Sequence, residues 1–415
     1  MFAPVSDAQP VPVTFVASHA LLGGSERYLE LLLDALGPGW AGRVVSLQEG
    51  IAVDRLRELG HTVEVIPTGR RGGLLTGAWR LRRALLRERP PVVHANGVKA
   101  ALVAALALVG TGIPVLWVKH DFSWDGPLGR LIAAGCAEVV GVSAAVLEAL
   151  RHGRPRGLPR PRLAVVANGI PVPELDPAAE RARVRGELGI PADAPLVALV
   201  GRLHPAKGQI ELIEAAPALI AAVPDARIAL IGGDDPNQAE YAARVRARLD
   251  ELGLAGRAVL TGHRGDATAV IAAADALAVP SVRDERGMGR EGFGLAGIEA
   301  LAVGTPVVGY GDGALPEVLG DAALLVAPGD RAALAAALAE VLGAPGRRAE
   351  LAQRGRDRFA ARYRIDITAA AMRARYRGLV TGGRSRAPIP PGSIPTSTAR
   401  SAGATRRSTS QKTTG

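Results

Sequence analysis

Short runs of apolar, often β-branched residues alternate along the chain with longer segments in which apolar residues recur every three or four positions. The short runs are typical of buried strands. The longer segments are typical of amphipathic helices, such as those predicted at Glu26–Leu36, Ala78–Arg87 and Val98–Leu108. Strands that alternate with helices in this way predict an α/β fold, in which helices cover both faces of doubly wound parallel sheets.

The predicted strands form two series, and a proline-rich stretch at residues 170–177 separates them and suits a linker. We therefore expect two Rossmann-like domains, over residues 1–175 and 195–362, with a linker at 176–194. Two such domains would leave a cleft that faces the carboxyl ends of both sheets, where open parallel sheets bind ligands. In chain order the strands are predicted at Val11–Val16, Arg43–Leu47, Thr62–Ile66, Pro91–His94, Pro114–Val118, Glu138–Val142, Leu163–Val166, Leu196–Val200, Arg227–Ile231, Ala258–Leu260, Ala276–Val279, Pro306–Val308 and Ala323–Val326.

The net charge of +10 would suit nucleic-acid binding if it were spread over a surface. However, six basic residues lie beyond Gly383, in a stretch without acidic residues that is rich in Ser, Thr, Pro and Gly. That composition predicts a disordered tail over residues 383–415, with a contact to anionic lipid or nucleic acid as the alternative. Aromatic residues make up only 3% of the chain, so no base-stacking surface is expected and nucleic-acid binding is disfavoured. The six basic residues are Arg384, Arg386, Arg400, Arg406, Arg407 and Lys412.

Cysteine content and hydropathy indicate the cellular compartment in which we expect the protein. Cys136 is the only cysteine, which excludes an internal disulfide bond and a cysteine-based metal site. No secretory signal is expected, because Met1–Pro10 lacks a basic segment followed by an apolar one. The longest apolar run, Ala100–Val109, is too short to span a bilayer. We expect a cytoplasmic protein, with contact to the inner face of the membrane through its basic surface or tail left open.

The first segment with candidate chemistry is Gly23-Gly24-Ser25-Glu26, which follows the first predicted strand and opens the first predicted helix. Unpaired N–H groups converge at a helix N-terminus, and glycine lets an anion such as phosphate approach them closely. The segment therefore predicts an anion site, and a simple tight turn is the alternative.

The second segment, Gly201–Gly208, contains Arg202 and Lys207 and also lies between a strand and a helix. Two cations on one such loop can converge on a diphosphate, the arginine as a planar fork and the lysine as a compact charge. Of the 50 basic residues in the chain only four are lysines, so a lysine here suggests a position where arginine would not serve. A solvated basic loop is the alternative.

The third segment runs from Glu291 to Glu299 through Gly292, Gly294 and Gly297. Its glycines leave N–H groups open at the start of a predicted helix, Ala300–Val303, where a phosphate can bind. The two carboxylates are eight positions apart, so we expect them to contact different parts of one ligand. The glycine spacing also matches a dinucleotide-binding fingerprint, but a charged loop rather than a strand precedes it, which disfavours a dehydrogenase.

Three shorter motifs complete the pattern: Asn168-Gly169-Ile170, Gly304–Val308 and Leu315-Pro316-Glu317-Val318. Together with the three longer segments, they resemble the retaining glycosyltransferases of family four, which have the GT-B fold. The resemblance extends to about Val380, in the order and spacing of that family. It implies a fold of two Rossmann-like domains facing a central cleft, with a last helix, residues 363–382, that crosses back to the first domain.

The resemblance also implies roles for individual residues. The donor would be a nucleotide-diphosphate-sugar, expected to carry a hexose, and the acceptor a hydroxyl of a small molecule, a lipid or a glycan. Arg202 and Lys207 would hold the donor diphosphate, and Glu299 would bind the ribose hydroxyls. Glu291 would face the transferred sugar, with His120 beside the sugar and acceptor. Further donor contacts are implied for Gly23, Gly24, Phe293, Gly294 and Leu295, and acceptor-side positions for His94, His120 and Asp121.

Departures from the family pattern limit what the resemblance implies. The segment Arg283–Arg290 is more charged than expected and borders the implied sugar pocket, so the identity of the transferred sugar stays open. No Asp-x-Asp motif occurs, and Asp234-Asp235 suits a turn and a helix cap. We therefore expect no metal and no cofactor, with Arg202, Lys207 and a helix N-terminus stabilising the leaving diphosphate instead. A nucleotide-sugar epimerase of the same fold and a non-catalytic partner subunit are the remaining alternatives.

Overall fold

Two parallel sheets form the framework, and both are built from the apolar runs of the sequence. The computed structural model describes residues 9–21, 23–69, 73–151, 157, 159–283 and 289–382. The expected tail, residues 383–415, lies outside the described residues, as does most of the charged loop, residues 284–288.

The first sheet has seven strands in the order β3-β2-β1-β4-β5-β6-β7, and every neighbouring pair is parallel. The order reverses direction between β1 and β4, so the segments that follow these two strands diverge and leave a crevice. The strands are β1 (Val13–Ala17), β2 (Ala41–Ser46), β3 (Val63–Val65), β4 (Val92–Asn96), β5 (Val115–Lys119), β6 (Glu138–Gly141) and β7 (Arg162–Val165).

The second sheet repeats this plan with six parallel strands in the order β10-β9-β8-β11-β12-β13. Its direction reverses between β8 and β11. The strands are β8 (Leu196–Val200), β9 (Arg227–Ile231), β10 (Ala258–Gly262), β11 (Ala276–Val279), β12 (Val307–Tyr310) and β13 (Ala323–Val326). All thirteen predicted strands are therefore confirmed, with ends displaced by at most two residues, and the two Rossmann-like domains of the prediction are present.

Helices follow almost every strand and cover the sheets, with two 3₁₀ turns at Pro205–Lys207 and Gly320–Ala322. The predicted helices are confirmed, although several extend further than expected. The helices are α1 (Gly24–Leu36), α2 (Ile51–Glu58), α3 (Gly73–Glu88), α4 (Val98–Leu108), α5 (Pro127–Ala134), α6 (Ala144–Arg151), α7 (Pro177–Glu187), α8 (Gln209–Ala222), α9 (Ala239–Glu251), α10 (Ala267–Ala273), α11 (Leu295–Val303), α12 (Leu315–Leu319), α13 (Arg331–Gly343), α14 (Pro345–Arg362) and α15 (Ile365–Val380).

Helix α15 returns from the second domain and packs on α1 of the first, which confirms the crossing helix. Polar contacts hold it there: the Arg373 guanidinium donates to the last carbonyls of α1, and Arg375 forms an ion pair with buried Glu138 at 3.0 Å. Burial leaves few competing partners for Glu138, so this pair fixes where the returning helix lies.

Helix α7 occupies most of the segment expected as a linker. Asp176 caps its N-terminus by accepting from the Ala178 N–H at 2.9 Å. Arg185 is 2% exposed and donates to Asp275 Oδ2 at 2.8 Å, at the amino end of β11. The helix was not predicted from hydrophobic periodicity, because its buried residues are only Val184 and Arg185, and these form no apolar stripe.

Candidate active site

The three glycine-containing segments follow strands at the points where the strand order of each sheet reverses. Residues 23–24 follow β1, and residues 201–208 follow β8. The segment from Glu291 follows β11, the neighbour of β8. The carboxyl ends of these strands are where a doubly wound sheet leaves room for a ligand.

Arg202 presents half of its side chain to solvent and is held from behind by Asp235. The Arg202 Nη1 atom lies 2.8 Å from Asp235 Oδ2, and the Asp235 side chain is 5% exposed. Gln209 fixes the loop beneath, because its amide donates to the carbonyls of Gly201 and Arg202 at 3.2 and 2.8 Å. The arginine is thus oriented by the protein while most of its donors stay open.

Lys207 lies on the 3₁₀ turn after Arg202. Its stem packs over Gly201, where a Cβ would come within 3.1 Å of the lysine Cγ. Gly208, with φ 71°, turns the chain into α8, and a Cβ there would overlap the carbonyl of Pro280. Glycine is therefore required at position 208, and at position 201 it gives the lysine stem room to pack closely.

Glu291 is the partner of Lys207, with Nζ and Oε2 2.9 Å apart. The Ser281 hydroxyl donates to the same oxygen at 3.1 Å. Burial by itself would raise the pKa of Glu291. Attraction to Lys207, together with hydrogen bonds from Lys207, Ser281 and the Gly294 N–H, outweighs burial and holds that pKa below its ordinary value. The carboxylate is ionised at neutral pH, so it can accept hydrogen bonds but not donate them.

The N-termini of α11 and α1 face each other. Gly294, with φ 90°, precedes α11, and a Cβ at Gly24 would contact Leu295 Cδ1 at 3.4 Å. Phe293 turns inward and packs edge-to-face on Tyr363, so only its backbone faces the ligand side. Two helix N-termini at one place would suit a doubly charged anion.

Glu299 lies one turn into α11 and is partly buried. Burial raises its pKa to about 6, opposed by the positive charge of Arg27 on α1 and a hydrogen bond from Thr268. A carboxylate in this state is short of donors, which suits it to accept from ligand hydroxyls.

His120 follows β5, and its Nε2 lies 2.6 Å from Asn96 Oδ1. Because the Asn96 amide nitrogen donates to the Ser25 carbonyl at 3.0 Å, its oxygen is the acceptor for His120, and Nε2 carries the proton. Burial lowers the pKa of His120 to about 4. The imidazole is therefore neutral at pH 7, and it meets the Tyr28 ring edge-to-face, with ring centroids 4.9 Å apart.

The backbone after β5 meets the glycines of the second domain. A Cβ at Gly292 would overlap the carbonyl oxygen of His120 and contact Asp121 Cα. The Asp121 side chain itself is exposed, and its Oδ1 accepts from the N–H of Ser123 at 2.9 Å. The Asp121 side chain therefore stabilises its own turn.

His94 corrects an expectation. It was expected on the acceptor side, but it has no exposed surface, and its Nδ1 lies 2.7 Å from the hydroxyl of Tyr376 on α15. Burial lowers its pKa to about 3, so the ring is neutral. Its contacts belong to the packing of the returning helix beneath the site, and no edge of it faces a ligand.

Several site residues escaped the sequence analysis. Asp235 was expected in a turn and as a cap. It does accept from the Asn237 N–H at 3.0 Å, but its other oxygen orients Arg202. Asn96, which positions His120, carries no motif, and its place at the end of β4 was the only available signal.

The described residues contain neither a group of metal-ligating side chains nor a membrane-spanning helix. Across these ranges, no three His, Cys, Asp or Glu side chains are grouped so that they could hold a metal ion. No helix in the described part of the chain combines the length and the apolar character needed to cross a membrane.

Comparison with known proteins identifies the class. Models of the "Glycosyl transferase 4-like domain" and of "Glycosyl transferases group 1" match residues 23–169 and 180–358. The chain is 30% identical over 329 residues to the D-inositol 3-phosphate glycosyltransferase of Thermobispora bispora, covering 73% of this chain and 74% of that protein. A protein of the same name from Corynebacterium urealyticum is 35% identical over 228 residues, 53% of this chain, which span about half of that relative, 52%.

A solved structure shows the same architecture. The Anabaena protein Alr3699/HepE, crystallised with UDP and glucose, superposes with a TM-score of 0.75 at 23% identity, covering 87% of this chain and 98% of that one. Fold and family matches together define a glycosyltransferase. The chain belongs to the group 1 glycosyltransferases, the family-four type with the GT-B fold.

Proposed function

We propose that the protein transfers a sugar, expected to be a hexose, from a nucleotide-diphosphate-sugar to a hydroxyl acceptor with retention of configuration and without a metal. One observation carries the proposal. Arg202 and Lys207 converge at the carboxyl ends of the second sheet, beside the facing N-termini of α1 and α11. That arrangement suits a diphosphate.

The chemistry follows from where charge develops. The bond between the anomeric carbon and the diphosphate oxygen breaks, and negative charge grows on the leaving oxygen. The acceptor hydroxyl bonds to the same face of the sugar, and its proton passes to the departing phosphate. Fixed cations and helix N–H groups stabilise this charge without having to reorganise.

The carboxylates and the imidazole have separate parts in this proposal. Glu299 accepts from the ribose hydroxyls, and ionised Glu291 accepts from the hydroxyls of the transferred sugar. Neutral His120 lies beside the sugar and acceptor, held by Asn96. In the retaining glycoside hydrolases, by contrast, one of two closely spaced carboxylates acts as the nucleophile. No such nucleophile is needed here.

Nucleotide binding tests this proposal without knowledge of the acceptor. We expect at least one of UDP, GDP, ADP and dTDP to raise the Tm of the wild-type protein, because a ligand of the folded state stabilises it by mass action. The same nucleotide should shift the Tm of Lys207→Ala and Arg202→Ala much less, although both variants fold. Equal shifts in all three proteins would show that the diphosphate binds elsewhere.

A membrane contact belongs to the same proposal, and the outer face of α3 is its best-supported place. Leu75 and Trp79 are 71% and 59% exposed, one turn apart. Arg80, Arg83 and Arg87 are exposed beside them. Apolar side chains beside basic ones on a single helix suit the surface of an anionic bilayer, where the acceptor would be a lipid.

A further inference from the structure

Lys119, the last residue of β5, is a lysine with only 1% of its surface exposed. Its Nζ donates to the carbonyl oxygens of Asp121 and Ser123, the latter at 3.1 Å. It also forms an ion pair with Asp125 Oδ1 at 2.9 Å. Two of the ammonium donors thus bind carbonyl oxygens, and the nearby Asp125 carboxylate balances the charge. A buried charge is costly unless it is paired in this way.

All three oxygens belong to one short segment, residues 120–125, which begins with His120. The segment is tightly turned. Trp124 has a φ of 58°, a conformation unfavourable for a large side chain, and its carbonyl leaves no room for a Cβ at Gly129. The ammonium group thus binds the inside of a turn that has little regular backbone pairing of its own.

The outside of the same segment contacts the second domain. The His120 carbonyl abuts Gly292, next to Glu291. The Arg290 guanidinium lies 3.8 Å from the centroid of the Phe122 ring and 3.9 Å from the Asp125 carboxylate. The segment therefore connects the buried ammonium to the place where the two domains meet.

We propose that Lys119 is a positioning residue, whose ammonium group orders residues 120–125 so that His120 and its carbonyl face the sugar pocket. This inference rests on the proposed function, because it concerns the acceptor side of that reaction. Lysine suits the position because its compact charge can reach three converging oxygens, whereas the planar guanidinium of arginine cannot arrange its donors in that way.

Lys119→Met tests the inference, because it keeps the length of the side chain and removes its charge. We expect hydrogen exchange in residues 120–126 to accelerate, while nucleotide binding by the second domain stays near wild type. The kcat for sugar transfer should fall on the order of 10²-fold, since small misplacements of reacting groups have effects of that size. Lys119→Arg should not restore it.

Arg185→Met is the matched control. Arg185 is also a buried cation that binds backbone carbonyls and an aspartate, but at the amino end of β11, away from the site. It should lower the Tm without changing exchange in residues 120–126. If Lys119→Met does not fold, Asp125→Asn removes the anionic partner and should accelerate exchange in the same segment by a smaller factor.

The two proposals fail differently. Unchanged exchange in residues 120–126 and a kcat within twofold of wild type, in Lys119→Met or in Asp125→Asn, would overturn the positioning role. Nucleotides that do not bind the wild-type protein would overturn the proposed function, whereas the exchange measurement needs no donor.

Discussion

At the scale of single residues, the site consists of cations held by carboxylates before any ligand arrives. Asp235 orients Arg202, and Glu291 holds Lys207 at 2.9 Å. Preorganised charges cost no reorganisation when negative charge appears on the leaving group. Removing such a cation also strands its carboxylate, so variants that keep the charge are more informative than alanine.

Lys207→Arg is the sharpest of these variants. Arginine shares the lysine stem up to Cδ but ends in a planar guanidinium, which cannot place a compact charge against Glu291 Oε2 in the same way. We expect kcat to fall roughly 10²-fold, about 2.7 kcal/mol in transition-state stabilisation, with an unchanged Tm. Arg246→Lys, at an exposed ion pair with Asp234, is the control and should be silent. A silent Lys207→Arg would mean that Lys207 is a solvated loop residue.

We expect donor binding to depend on pH through Glu299. Its pKa of about 6 means that the ionised form, which would accept from ribose hydroxyls in the proposed mechanism, is lost as the pH falls below 6. The donor Kd should therefore rise by up to about tenfold per pH unit below 6. Glu299→Gln should bind more weakly at pH 7.5 and show little pH dependence. A wild-type Kd that is constant from pH 7.5 to 5 would contradict this role.

The Glu299 carboxyl affects the free energy of unfolding with the opposite pH dependence. Because the folded pKa lies above the unfolded value, near 4.3, folding favours the protonated form. Its stabilising contribution is complete below pH 4.3 and is lost as the pH rises to 6. Glu299→Gln should thus gain about 1 kcal/mol at pH 7.5, allowing for partial exposure of the side chain, and nothing at pH 4. Glu240→Gln, on the exposed start of α9, should gain nothing at either pH.

At the scale of elements, helix α3 has a buried face and a face that contacts nothing in the described structure. Leu81 and Leu85 are fully buried, whereas Leu75 and Trp79 are exposed. We expect the protein to sediment with vesicles that contain anionic lipid, and the Leu75→Ser, Trp79→Ser double variant to lose roughly tenfold or more in partitioning.

Leu59→Ser with Val172→Ser is the matched control, because these apolar residues are 53% and 58% exposed but lie outside α3. The control should sediment like wild type. Equal losses in both double variants, or no binding by the wild-type protein, would remove α3 as the membrane contact.

The secondary-structure elements differ in how well the sequence predicts them. All the strands were predictable, because buried parallel strands are continuous apolar runs bounded by turns. Helix α7 was not, since its anchor is Arg185 rather than an apolar stripe. The packing of His94 and the second contact of Asp235 were missed for a similar reason: their partners, Tyr376 and Arg202, are distant in sequence, and no local pattern records the contact.

At the scale of the whole molecule, the repeated sheet plan explains why the site lies where it does. The strand order of each sheet reverses once, and the glycine-containing segments follow the strands on either side of those reversals. The first domain contributes α1 and the segment after β5, and the second contributes both cations and α11. In the proposed mechanism neither domain has a complete site alone, so turnover would depend on the contacts that join them. One such contact is the Ser143 hydroxyl, which donates to the Gly292 carbonyl at 2.9 Å.

The most direct test of the whole account is an NMR time course with the nucleotide-sugar that binds, run in EDTA with water or a hydroxyl compound as acceptor. We predict release of the nucleoside diphosphate and a first-formed product with the same anomeric configuration as the donor. A first product of inverted configuration, or no transfer until Mg²⁺ or Mn²⁺ is restored, would contradict the metal-free retaining mechanism built on Arg202 and Lys207.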